Sequence, residues 1–154
     1  RACQEGLEAL AGQRPLPAEA AAGLEADCRD TLNRQFWDEA AQLLALGGHR
    51  AEAVALFADG LAEDPEALNT RIGYAVALHL DGRWDEGLEN LAWLLERLPR
   101  DPQVLRLAVQ AGAWGGDRDL AERAYALLAE HHPAQAEAAR RFLDSDSPPP
   151  RLPQ

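Results

Sequence analysis

Apolar residues along the chain fall in short runs broken by charge, and no run is long enough to cross a bilayer. Their register repeats. Pro65, Pro99 and Pro133 stand 34 residues apart, and Gly48, Gly82 and Gly116 keep the same interval. So do Ala53, Gly87 and Ala121, and then Phe57, Leu91 and Tyr125. The strings GGHRAEA (47–53), DGRWDEG (81–87) and GGDRDLA (115–121) mark a turn at the same place in each block. Each block predicts a helical hairpin, with first helices over 34–46, 68–80 and 102–114. Second helices follow over about 50–63, 84–97 and 118–131. Glycine just after a helix adopts the left-handed C-cap conformation without a Cβ penalty. Asp85 and Asp119 suit the positive end of the helix dipole. Proline ends each second helix because its ring clashes with the preceding turn.

Extended backwards, the register places Leu7, Ala11, Ala20 and Leu24 at the apolar positions of a further hairpin. Residues 1–33 therefore read as a degenerate repeat with GQRPLP (12–17) as its turn. At the other end, Ala134–Asp144 reads as one more amphipathic helix, with Arg140 and Arg141 near its C-terminus, that covers the last repeat. SDSPPPRLPQ (145–154) reads as a Pro-rich extended tail or linker.

Composition sharpens the fold class. Of 154 residues, 31 are Ala and 25 are Leu; Val, Ile and Thr together number seven. Ala and Leu head the helix-propensity order, and a β-sandwich or barrel needs far more β-branched residues. The fold class is all-α, and the length suits one domain with its own core. Lys and Met are absent, and the net charge is −11, distributed as −3, −6 and −2 over residues 1–50, 51–100 and 101–154. That balance repels nucleic acid. The chain begins at Arg1 rather than Met and is expected to be a processed or excised segment, with any leader or anchor outside it.

The chemistry-bearing residues are few. There is no nucleotide loop, no GxSxG and no HExxH. His131 and His132 adjoin at a helix end, where the dipole accounts for them, and no cysteine lies near to complete a metal site. Asp144-Ser145-Asp146 opens like a calcium loop but lacks its glycine and distal glutamate. Asp85, Glu86 and Glu89 read as a solvated helix face. The expectation is a non-enzyme without cofactor or metal.

These blocks resemble the tetratricopeptide repeat, a 34-residue helical hairpin with an aromatic at position 4, small residues at 8 and 20, an aromatic at 24 and Pro at 32. Counted from Arg34, Trp37, Ala41, Ala53, Phe57 and Pro65 stand at those positions. Counted from Leu68, Tyr74, Ala75, Gly87, Leu91 and Pro99 stand at 7, 8, 20, 24 and 32. Counted from Pro102, Ala108, Ala121, Tyr125 and Pro133 stand at 7, 20, 24 and 32. Arg71 at position 4 and Gly112 at position 11 depart from the pattern. The resemblance covers residues 34–133, as repeats 34–67, 68–101 and about 102–135. It implies a right-handed α-solenoid of antiparallel hairpins, with residues 1–33 as a degenerate repeat and 134–144 as a capping helix.

Tetratricopeptide arrays hold a protein or peptide partner on the surface built by their first helices. The family's inward positions give Gln35, Asp38, Gln42 and Ala45, then Asn69, Ile72, Val76 and His79, then Gln103, Arg106, Gln110, Ala113 and Trp114. Amide side chains there both donate to and accept from an extended backbone, and Trp and Arg are enriched at hot spots. The competing readings are solvated amides and a Trp114 that packs against the terminal helix. Lysine is absent and Asp38 and Gln42 occupy two positions of the family's carboxylate clamp, which disfavours an acidic tail as ligand. Trp84 sits at an aromatic turn position and reads as packing; Trp93, on a second helix, reads as core or, if exposed, as a lateral contact.

The resemblance also bears on the cysteines. The family's packing pairs 4 and 27, 7 and 24, and 11 and 20 each sum to 31, and so do Cys3 and Cys28. The two should face each other, as a disulfide in an oxidising compartment such as the bacterial periplasm or cell envelope. Reduced, they would be small core hydrophobes of a cytoplasmic protein; a lipid-modified Cys3 is the third reading. Two functions follow from the resemblance and that compartment. One is a scaffold or adaptor of an envelope assembly, such as exopolysaccharide export, pilus biogenesis or cytochrome maturation. The other is an oligomerisation module, possible homo-oligomer included, of a larger membrane-anchored protein.

Overall fold

The structure, a computed structural model, describes residues 2–144; the Pro-rich segment 145–154 lies outside the described residues. Among the described residues the chain is helical throughout, without a strand. The helices are α1 (Ala2–Ala11), α2 (Ala18–Thr31), α3 (Trp37–Leu46), α4 (Arg50–Glu63) and α5 (Leu68–Leu80). Then come α6 (Trp84–Arg97), α7 (Pro102–Gly115), α8 (Arg118–His131) and α9 (Pro133–Asp144). They form two compact units, Arg1–Asp81 with α1–α5 and Gly82–Gln154 with α6–α9. None of the described helices is long and apolar enough to cross a membrane.

The helix limits follow local chemistry. Asp101 accepts the Val104 N–H at 3.0 Å and is followed by Pro102, whose missing N–H costs nothing in a first turn. Asp117 accepts from Leu120 N at 3.1 Å and starts α8 in the same way. Gly116 closes α7 at φ 86°, and Gly48 and Gly82 take the same left-handed conformation in the corresponding turns. Pro133 ends α8 and is the first residue of α9, so the cap starts one residue earlier than its sequence pattern indicates. The helix expected from residue 34 begins instead as a 3-10 turn, Arg34–Phe36, before α3. The Trp37 indole donates to the Leu32 carbonyl at 2.9 Å and anchors that entry.

In the first unit, α1, α3 and α5 pack side by side as one layer and α2 and α4 as another, with α1·α2, α3·α4 and α4·α5 joining them. Small residues set the spacing: Ala41, Ala53 and Ala75 are fully buried. Phe57 projects from α4 onto α5, where its ring lies against the bare Cα of Gly73. A Cβ on Gly6 would stand 2.7 Å from Leu24 Cδ1, so α1 approaches α2 over a glycine. Cys3 and Cys28 are joined by a disulfide, with Cα atoms 4.9 Å apart, and both are buried. Asp27 accepts the Cys3 N–H at 2.6 Å, which holds its carboxyl below the usual range.

In the second unit, α7 is the central helix, packed on α6, α8 and α9. Gly112 explains its own departure from the repeat pattern. A Cβ there would lie 2.9 Å from both the Ala121 nitrogen and the Asp117 oxygen, so α7 and α8 approach backbone to backbone. α9 also packs on α8, bringing Ala136, Ala139 and Leu143 into the core.

Gly112→Ala should lower stability by about 1–3 kcal/mol, because overpacking against backbone outweighs the roughly 1 kcal/mol of helix propensity gained. Gly23→Ala, on an open face of α2, should raise it by up to about 1 kcal/mol; urea unfolding of both variants checks the pair. The disulfide closes 25 residues of sequence separation, so Cys3→Ser with Cys28→Ser should cost about 3 kcal/mol in the same assay. Mass spectrometry of unreduced protein after alkylation should find no free thiol at either cysteine.

Candidate functional site

The first unit carries a cleft of about 530 Å³ where three helix ends converge. Arg34, Gln35 and Asp38 come from the entry to α3, Glu63 and Asp64 from the end of α4, and Ala67, Leu68, Asn69 and Thr70 from the start of α5. The α3–α5 packing positions these residues, since it brings two helix N-termini side by side. The Thr70 hydroxyl donates to Asp38, with both carboxylate oxygens at 2.9 Å, and this bond fixes the carboxylate at the cleft floor. Arg34 is held from behind: its Nη2 donates to the Gly60 carbonyl at 2.9 Å, and its guanidinium lies 5.1 Å from the Trp37 ring centroid. A glycine in mid-helix makes this possible, because a Cβ at residue 60 would stand 3.2 Å from both Arg34 Nη2 and Thr70 Cγ2.

Of the residues predicted from sequence, the cleft gathers Gln35, Asp38 and Asn69. Gln42 is exposed farther along α3, and Ile72 and Val76 are half-buried on α5. His79 requires correction. It is 6% exposed, interior rather than surface, and burial pushes its pKa down from 6.5 to about 4, so the ring is neutral near pH 7.

In the second unit Gln103 and Arg106 are exposed and Gln110 is half-buried on α7. Arg106 Nε donates within its own helix, to Pro102 O at 3.3 Å. Trp114 is half-buried on α7 and takes part in aromatic packing. Its ring meets Trp84 edge-on at 6.5 Å and Phe142 at 5.6 Å, an aromatic seam that ties α6, α7 and α9 together. Trp93 is half-buried, with the Arg97 guanidinium stacked 3.6 Å over its ring. His132 Nε2 lies 2.7 Å from the Arg100 carbonyl, a backbone tie in keeping with its helix-end position.

Sequence reasoning missed Arg34, Glu63, Asp64 and Thr70 as cleft residues. Gly60 was the available signal: an internal helix glycine costs stability unless something approaches it. With Arg34 against Asp38, Glu63 and Asp64, the cleft lining is net acidic and carries amide groups beside it. It can bind polar or cationic groups by charge-assisted hydrogen bonds, and it repels carboxylates.

Among models of known families, the one described as tetratricopeptide repeat matches residues 44–111. Comparison with curated proteins and with solved structures finds no match.

His79 generates a pH prediction for this unit. Its folded pKa lies below the ordinary value, so its contribution is present above about 6.5 and is lost as pH falls through about 4. The shift is equivalent to about 3 kcal/mol at most. The His79 ring resonances should titrate near 4 in an NMR series, and a midpoint near 6.5 would place the ring in solvent.

Proposed function

Because the chain is a tetratricopeptide-repeat protein over residues 44–111, we propose that it is a scaffold that holds an extended segment of a protein partner on the face of α3 and α5. Such repeats generally mediate protein–protein interaction and are typically non-catalytic. The observation that carries the reading is the cleft in which Gln35, Asp38 and Asn69 converge. Its amides pair with a peptide backbone, and Asp38, Glu63 and Asp64 favour a segment with Lys or Arg over one ending in acidic residues. The exposed Gln103 and Arg106 of α7 extend the proposed contact set within the second unit.

The Cys3–Cys28 disulfide supports an oxidising compartment, which makes the periplasm or cell envelope the proposed location. An assembly or export system of the envelope, whether for exopolysaccharide, pili or cytochrome maturation, is the corresponding proposed setting.

A photo-crosslinking residue placed at Gln35 or Asn69 should capture the partner, whereas one at Glu89, on the solvated face of α6, should not. Gln35→Arg with Asn69→Arg should weaken capture at least tenfold while leaving the helical circular dichroism unchanged. Equal capture from Glu89 would overturn the assignment of the face. A stable multimer in light scattering, crosslinked to itself through these positions, would instead mark the protein as an oligomerisation module.

A further inference from the structure

Glu25 on α2 and Asp59 on α4 face each other where the N-terminal hairpin packs on the first repeat. Their side chains are 17% and 25% exposed. Asp59 Oδ2 is buried and accepts no hydrogen bond from any fixed donor among the described residues. Arg29 Nη1 stands 3.7 Å from that oxygen and 3.6 Å from Glu25 Oε1, beside both carboxyl groups but outside hydrogen-bonding distance of either. A buried acceptor without a donor is costly, and two neighbouring carboxylates resist ionising together. One Arg29 nitrogen within 4 Å of both oxygens sets the two carboxyl groups beside each other. A proton on Glu25 resolves both problems at once, because it supplies the donor and removes one charge.

We propose that Glu25 and Asp59 share a single proton across the α2–α4 contact, and that this proton is a latch between the N-terminal hairpin and the first repeat that opens as pH rises. The surroundings agree. The Asp59 hydrogen bond and burial push the Glu25 pKa from 4.5 up to about 7; the Asp59 and Asp30 charges add to the rise and Arg29 opposes it. On the other sides of α2, α1 meets it through Cys3 and Gly6, and α3 commits Asp38 to Thr70. The folded pKa lies above the unfolded one, so the latch is fully present below about 4.5 and is lost as pH rises through about 7. The proton belongs to the pair, as in other carboxyl dyads. The disulfide keeps α1 and α2 together when the latch opens, so the hairpin loosens from α4 as one body.

His79 titrates over nearly the same range with the opposite sign, so the pH dependence of the unmodified chain alone does not isolate the latch. The test compares the oxidised full chain with Glu25→Gln, whose amide donates to Asp59 at every pH, and with Asp59→Asn. The thermal midpoint of the unmodified chain should fall by several degrees relative to Glu25→Gln as pH passes from about 5 to about 8. Amide exchange in α2, corrected for its intrinsic pH dependence, should rise with it. Independently of any variant, a carbon NMR titration should show Glu25 Cδ shifting near 7. Parallel stability curves, or a Glu25 Cδ midpoint in the ordinary carboxylate range, would overturn the proposal.

Discussion

Close approach of neighbouring helix backbones is the constraint on which the rest of this structure depends. Packing at native density leaves no space for side chains where two helices cross, so the contact positions must be glycine or alanine. Gly112 meets the backbone of Asp117 and Ala121 directly, and Gly6 in the N-terminal hairpin lies beneath the Leu24 side chain. Once the backbones are that close, Leu44, Phe57, Leu105 and Leu128 fill the interior beside them, and all four are buried. Adding a single methyl group at Gly112 forces neighbouring backbone to move, and at Gly6 it displaces the Leu24 side chain.

The same closeness creates the polar features. Gly60 leaves room beneath α4, and the Arg34 guanidinium occupies it and turns the entry to α3 into the wall of a cleft. The α3–α5 contact brings Thr70 onto Asp38 and fixes a carboxylate at the cleft floor. The α2–α4 contact sets Glu25 against Asp59, which gives the N-terminal hairpin, itself closed by the disulfide, a titratable attachment to the first repeat. Cleft and carboxyl pair therefore share an origin: helices close enough together that polar side chains must find partners across the contact.

Function follows from which faces the packing leaves open. The aromatic seam of Trp84, Trp114 and Phe142 is spent on holding α9 to the second unit. The exposed polar residues at the starts of α3 and α5 remain free of such duty and line a net acidic cleft. Under the proposed function, binding energy at such a surface would come from hydrogen bonds to a partner backbone and from charge pairing rather than from apolar area.

The sequence by itself determined the helices, their turns and the spacing of their contacts. A 34-residue register with Gly at 48, 82 and 116 states where the chain must reverse, because local backbone sterics decide that. The packing pairs that the family resemblance supplies set Cys3 opposite Cys28, because the geometry of paired helices is regular. Tertiary structure alone decided which side chains on a given face stay exposed. Gln42 and Val76 occupy equivalent positions in the repeat pattern, yet one is exposed and the other half-buried. Trp114 carries the sequence signature of a hot spot and packs against α9. Arg34 meets Gly60 across 26 residues, and Glu25 meets Asp59 across two helices that no local pattern links. Periodicity specifies which face of its helix a residue occupies; the neighbour that covers that face fixes its solvation, its charge state and its partners.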